Sequence, residues 1–278
     1  MNLCRADRFL LASGATVAGA TAMFGATALG VAAPAFALLL ADGIFRPASS
    51  LFYPTLTRGR SDRPQVALTF DDGPDPEVTP AVLDVLAEYR ARATFFVIGR
   101  HLEKNLALGE RLLRDRHELG NHSWHHSYLQ NFYQAGRYGD EIDRCSQLIK
   151  SLTRSEDEPL YRPPVGLKSP PMARAAHKRK LTVVAWSIHS RDTIARDAAA
   201  VAKNVVGRIR PGDIVLLHDG HDREGLHRPN IRQVLPLLLQ GLRERGLESV
   251  PVSELLDDTQ RATRGPNAAT LAADDARN

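Results

Sequence analysis

Several short stretches of this chain end in side chains able to hold a cation or move a proton. The first, Val66-Ala67-Leu68-Thr69-Phe70-Asp71-Asp72-Gly73-Pro74, is an apolar run stopped by two adjacent carboxylates. Neighbouring carboxylates repel, so Asp71 and Asp72 ask for a metal or an arginine beside them. The second is His122-Ser123-Trp124-His125-His126. Spacing of four lets the imidazoles of His122 and His126 face one point if the segment turns helically. Two histidines and one carboxylate make a three-ligand set with open positions, which catalytic metal sites need. His125 points elsewhere and takes no role. In Arg162-Pro163-Pro164 two prolines stiffen a turn and fix the direction of Arg162, which could hold Asp71 ionised and oriented. His218 directly follows an apolar run, a good position for a general acid, and Asp192 could pair with it and raise its pKa. Each has a plainer alternative when taken singly: a polar turn for Asp71-Asp72, a surface loop for Asp192 and His218. Three histidines within five residues are harder to set aside.

These residues need a scaffold that brings strand ends together. Short apolar strands are predicted at 65–70, 93–98, 118–121, 160–162, 181–188, 213–217 and 247–252. Amphipathic helices are predicted between them at 79–89, 102–116, 138–152, 170–179, 195–209 and 231–245. Alternation of this kind implies an α/β fold with a parallel sheet and helices outside. Repeated closure gives a (β/α) barrel of about seven strands, short of the usual eight, with a doubly wound open sheet as the competitor. No glycine-rich phosphate loop follows any strand, which weakens a nucleotide-binding reading. In parallel sheets the C-terminal strand ends collect ligands, and all the candidate residues lie there.

The 278 residues leave room for one sizeable domain with appendages, and 43% hydrophobic with 24% charged residues is a folded composition. The formal charge of +4 is too mild to indicate a nucleic-acid partner. Cys4 and Cys145 form no CxxC pattern, and a disulfide between them is not expected. Residues 9–41 carry no charge and no histidine, and these 33 residues exceed the roughly 20 that cross a bilayer. A membrane anchor is therefore expected over 1–41, with Arg5 and Arg8 holding the N-terminus in the cytoplasm and the domain on the periplasmic or extracellular side. A cleaved signal peptide, a buried helix, or a two-span hairpin around 30–34 that leaves the domain at the cytoplasmic face are the alternatives. The basic stretch 42–64 reads as an interfacial linker, 65–256 as the catalytic domain, and 257–278 as a disordered tail.

Together, Thr69-Phe70-Asp71-Asp72-Gly73-Pro74, His122-Ser123-Trp124-His125-His126, Arg162-Pro163-Pro164, Asp192 and Leu217-His218 resemble the five ordered motifs of the polysaccharide deacetylases. The resemblance covers about 64–253. It implies a distorted, incomplete (β/α) barrel and metal-dependent removal of N-acetyl groups from chitin, peptidoglycan or related glycans. It implies Asp72, His122 and His126 as ligands of a divalent metal, commonly zinc (Zn2+) in this family, and Asp71 as general base aimed by Arg162. It further implies an oxyanion contact from the Val165 backbone N–H, His218 as general acid tuned by Asp192, and Leu216 lining the acetyl pocket. Val165, Thr193 and His189 depart from the residues common at their positions, which bears on the sugar-binding walls. The expected partner is an N-acetylated envelope glycan or a lipid-linked amino sugar. Two alternatives stand beside this: a deformylase or deacylase of a lipid-carried amino sugar, and an inactive glycan-binding membrane protein.

Overall fold

The computed structural model describes residues 3–24, 26–195, 197–223, 226–227 and 230–256. The tail expected from 257 onward lies outside them. Two helices open the chain, α1 (Arg5–Phe24) and α2 (Ala26–Phe45). A short strand β1 (Thr55–Leu56) leads to β2 (Gln65–Asp71), helix α3 (Thr79–Glu88) and strand β3 (Thr94–Val97). Helices α4 (Gly99–Lys104) and α5 (Leu106–Arg114) precede β4 (Glu118–Asn121), which is followed by α6 (Ala135–Thr153) and α7 (Pro170–Arg179). Strands β5 (Val183–Val184) and β6 (Ile188–His189), helix α8 (Ala198–Arg208) and strand β7 (Ile214–His218) come next. Helix α9 (Ile231–Glu244), strand β8 (Glu248–Ser249) and helix α10 (Val252–Leu255) end the described chain.

The strands pair in parallel in the order β4-β3-β2-β7-β6, with β8 also against β2, so the α/β class with parallel strands is what forms. Beyond β4 the pairing continues only as single bridges, Asn121 to Tyr161 and Tyr161 to Val183, and as the short β1–β5 ladder. The strand predicted at 181–188 is broken into β5 and β6, and the helix predicted at 102–116 is broken at Asn105.

Because side chains alternate along a strand, β2 has two different faces. Val66, Leu68 and Phe70 pack with Val82 and Leu86 of α3, Leu112 of α5, Val205 of α8 and Leu235 and Leu238 of α9. Phe70 also stacks on Phe95, with ring centroids 4.8 Å apart. Ala67 lies on the opposite face with Phe96, Leu160, Val184 and Ile214. Thr69 and Asp71 share that second face by the same period of two, which turns the strand's last carboxylate to the face opposite Val66, Leu68 and Phe70.

The single membrane-crossing helix expected over 9–41 is not what forms. The stretch is divided between α1 and α2, and among the described residues no helix is long and apolar enough to cross a membrane. The helices are tied to the domain: Asp7 pairs with Arg174 of α7 at 2.6 Å, and Cys4, Ala6 and Phe52 are buried against Ala173. The segment after them also rests on the domain, with Arg58 paired to Asp213 at 2.7 Å and Lys168 donating to the carbonyls of Pro47 and Ser49.

One buried histidine lies at the start of β4, away from the strand ends that carry the motifs. The Nδ1 of His117 accepts the Ala93 N–H at 3.2 Å, so it must be unprotonated there. Burial pushes its pKa down to about 4, the nearby Asp115 opposing and Arg92 and Arg111 assisting. Below pH 6.5 the unfolded chain takes up a proton that the folded chain refuses until about pH 4. Stability should therefore fall by about 3 kcal/mol as the pH drops through that window. His117→Asn, which cannot titrate, should flatten this acid limb in urea midpoints measured between pH 7 and pH 4.

Candidate active site

The site is assembled around Arg162, whose side chain is fully buried. Its Nη1 donates to Asp71 Oδ1 at 2.6 Å and to Thr69 Oγ1 at 2.8 Å. Nη2 donates to the Ala185 carbonyl at 3.0 Å, and the guanidinium carbon lies 4.0 Å from the centroid of the Phe96 ring. Burial lowers the arginine pKa and the Asp71 charge opposes this, so the ion pair is what keeps a cation in the interior. The backbone carbonyl of Arg162 meanwhile accepts from His122 Nδ1 at 2.7 Å. That bond fixes the proton on Nδ1 and leaves the Nε2 lone pair facing the carboxylates.

Asp72 leaves the strand with φ of +74°, which swings its carboxylate away from that of Asp71 although the two are consecutive. His122 Nε2 lies 3.6 Å from Asp71 Oδ2 and 3.6 Å from Asp72 Oδ1, while His126 Nε2 lies 3.3 Å from Asp72 Oδ1. The predicted helical turn is instead an irregular one. Ser123 and His126 both have positive φ, Asn121 Oδ1 accepts the Ser123 N–H, and Ser123 Oγ accepts the His126 N–H. The loop is seated by Gly120, where an added Cβ would lie 2.5 Å from the Phe96 ring, and by Arg144 over Trp124. His125, given no role, bonds Glu141 at the surface at 2.8 Å.

One donor atom from each of Asp72, His122 and His126 falls within 4.8 Å of the others, and all three residues are buried. Burial, reinforced by the neighbouring His126, lowers His122 to about 3, so its imidazole is neutral at ordinary pH. Two imidazoles beside a carboxylate, that of His122 neutral and with its tautomer fixed by a carbonyl, are a donor set that fits a divalent cation.

The acid–base partners come from the strand next to β2. Asp71 and His218 are register partners across β2 and β7. His218 Nδ1 lies 3.1 Å from Asp192 Oδ1, and its backbone N–H donates to Asp192 Oδ2 at 2.9 Å. Ser190 Oγ donates to the same carboxylate, and Asn230 donates to the Asp192 carbonyl, which fixes that loop. Burial alone would lower His218, but the hydrogen bond and charge of Asp192 outweigh it and its pKa ends raised. Burial pushes Asp192 up, and the His218 contact brings it below its usual value. Leu216 is buried in β7 two residues before His218, on the same face of the strand. Val165 is half exposed and has φ of +51°, a costly backbone for a β-branched residue.

Sequence reasoning missed several supporting groups. His101 Nδ1 bonds the Asp72 carbonyl at 2.9 Å, and the Thr79 hydroxyl donates to Asp219 Oδ2 at 2.6 Å. Burial, with the charges of Asp72 and Asp75, pushes Asp219 up to about 7 although the Thr79 bond opposes it. Asp219 directly follows the acid candidate, and that adjacency was the one available signal; Thr79 and His101 gave none.

The family model for polysaccharide deacetylase matches residues 58–184, a stretch that holds Asp71, Asp72, His122, His126, Arg162 and Val165 and ends before Asp192. Over 194 residues the chain is 38% identical to a peptidoglycan-N-acetylglucosamine deacetylase of Bacillus cereus, covering 69% of this chain and 87% of that one. It is 35% identical over 197 residues to a chitooligosaccharide deacetylase of Bradyrhizobium, covering 68% and 90%. The crystal structure of the Bc1960 peptidoglycan N-acetylglucosamine deacetylase, in complex with a naphthalenyl N-oxidanyl-benzamide, matches with a TM-score of 0.66 at 28% identity. That match covers 73% of this chain and 92% of the other. The chain belongs to the polysaccharide deacetylase family. It is an enzyme of a class that hydrolyses amide C–N bonds of acetylated glycans.

Proposed function

We propose that the protein is a metal-dependent N-deacetylase of peptidoglycan or of chitooligosaccharide-like glycan. The observation that carries this is the placement of Asp72, His122 and His126 around one point, with the Arg162-held Asp71 and the Asp192-held His218 on adjoining strands. Asp72, His122 and His126 would hold the cation, and two imidazoles with a carboxylate suit zinc. When bound, the ion would polarise the acetamide carbonyl and acidify water. Asp71 keeps Oδ1 on Arg162, so Oδ2 is the atom that takes the proton of the attacking water. The Val165 N–H donates to the carbonyl oxygen as it gains charge. His218, with Nδ1 engaged by Asp192, delivers its Nε2 proton to the amine as the C–N bond breaks. Leu216 would close the acetyl-methyl pocket.

Acetate release from N-acetylglucosamine oligomers by the full chain tests this, with His218→Ala expected to lose on the order of 10²-fold or more. Equal release by both proteins would remove His218 from the reaction. Because His218 must be protonated to act, activity falls as the pH rises through its raised pKa. Asp192→Asn removes the raising influence, so the alkaline limb of the kcat/KM profile should move to lower pH. A limb that stays in place would show that another group donates the proton. A polymeric envelope substrate places the catalytic domain outside the cytoplasmic membrane, which a reporter fused after residue 256 checks.

A further inference from the structure

Beside the proposed acid His218 stands a second imidazole that the reaction as written leaves unused. His189 ends β6, and in the parallel register it pairs with Leu216 of β7, which pairs in turn with Thr69 of β2. Register partners share a face, so His189 lies on the same side of the sheet as Leu216, His218, Thr69 and Asp71. Ile188, one residue earlier, packs on the other side with Val215 and Leu217. We propose that His189 determines specificity: its Nε2–H donates to the C3 oxygen of the sugar that loses its acetyl group. This rests on the deacetylase reading and names the part of the substrate that is read beside the amide.

The ring is held and its proton is assigned by the local chain. Its Nδ1 accepts the backbone N–H of Arg191 at 3.0 Å, where the chain turns back with φ of +63°. An accepting Nδ1 carries no proton, so the neutral ring has its proton on Nε2. Burial, then the charge of His218, lowers the His189 pKa, with Arg191 assisting and Asp192 and Asp71 opposing. His218 is raised, so between the two values His218 is charged and His189 is not. The ring is partly exposed and stands edge-on to Trp186 at 5.9 Å. Among the described residues its Nε2 has no hydrogen-bond partner.

The spacing of the two imidazoles suits two neighbouring groups on one sugar. The ring centroids of His189 and His218 are 6.4 Å apart. Substituents on adjacent pyranose carbons stand about 3 Å apart, so each imidazole can reach one of them through a hydrogen bond of about 2.9 Å. With His218 at the departing nitrogen on C2, the adjacent oxygens are those on C1 and C3. In a (1→4)-linked chain the C1 oxygen is taken up in the glycosidic bond, and the C3 oxygen projects freely. The Nε2–H of a neutral imidazole only donates. It therefore bonds a free hydroxyl and an ether oxygen alike, and a sugar substituted at that oxygen keeps its contact. A carboxylate in this position would only accept, and would require the hydroxyl proton.

The test is acetate release by the full-length protein from N-acetylglucosamine oligomers that are unaltered, 3-O-methylated or 3-deoxy. Loss of the oxygen should cost about tenfold in kcat/KM, mainly through KM, the usual scale for one hydrogen bond, while the methyl ether should stay within about threefold of the hydroxyl. His189→Ala should bring the 3-deoxy penalty close to one, and His189→Gln, which keeps an N–H donor, should restore it. His189→Asp should favour the free hydroxyl over the methyl ether by about tenfold. Any change it makes to His218 acts on both substrates and cancels from that ratio. A 3-deoxy penalty absent from the unaltered protein or undiminished in His189→Ala, or a methyl-ether ratio unmoved in His189→Asp, overturns the proposal. Failure to release acetate from any oligomer would instead overturn the deacetylase reading. Calorimetric binding of the unaltered and 3-deoxy oligomers would then decide the contact, with equal binding of the two counting against it.

Discussion

If the proposed metal centre is right, His122→Ala is expected to cut acetate release by roughly 10³-fold and to abolish tight binding of a divalent ion, because such a centre would contribute several kcal/mol of charge stabilisation. The loss is large because the imidazole has two functions. Its Nε2 stands 3.6 Å from Asp72 Oδ1 and 3.6 Å from Asp71 Oδ2, where it would help to hold the proposed cation beside the proposed base. Its Nδ1 satisfies the buried carbonyl of Arg162, which the alanine would leave without that partner. Asp72→Ala should lose metal and activity together in the same way, since metal affinity follows the ligand set. Elemental analysis and acetate release on the purified variants check this, with zinc the ion expected in the unaltered protein. Retention of both metal and rate by either variant would show that the cluster is not the reaction centre.

Arg162→Ala is expected to destabilise the protein by about 3–5 kcal/mol, the usual effect of leaving one buried charge without its partner. The cost arises from Asp71, which keeps its carboxylate in the interior but loses a 2.6 Å bond. Thr69 and the Ala185 carbonyl lose their donor as well. Adding Asp71→Asn to Arg162→Ala should recover part of the stability, because no unpaired charge remains, without recovering acetate release. Denaturant midpoints and turnover for the single and double variants would separate the two effects. A single variant within 1 kcal/mol of the parent would mean that water reaches Asp71 and the pair is not buried as described.

Much of the site was legible because its residues are local in sequence. The Asp71-Asp72 end of β2, the His122 to His126 loop and the Arg162-Pro163-Pro164 turn each announce themselves within a few positions. The helix at Pro170–Arg179 and the strand at Glu118–Asn121 were also read with their observed bounds. What failed depended on distant partners. A charge-free run of 33 residues reads as one membrane span, but length and lack of charge do not show where a helix ends, and the run is shared between two helices held on α7. The apolar run at 181–188 looked continuous, yet ladder bonds form only at Val183–Val184 and Ile188–His189. Contacts such as Thr79 to Asp219, 140 residues apart, carry no local pattern.

One residue sets the spacing between the proposed proton acceptor, Asp71, and an imidazole of the proposed metal site, His122. The guanidinium of Arg162 grips Asp71, and its own carbonyl grips His122. The two functional groups are thus tethered to opposite ends of a single amino acid, and thermal drift of the surrounding loops carries them as a pair. Substitutions at exposed positions such as Val165 can therefore change the surroundings of the proposed site while this short covalent ruler keeps Asp71 and His122 in alignment.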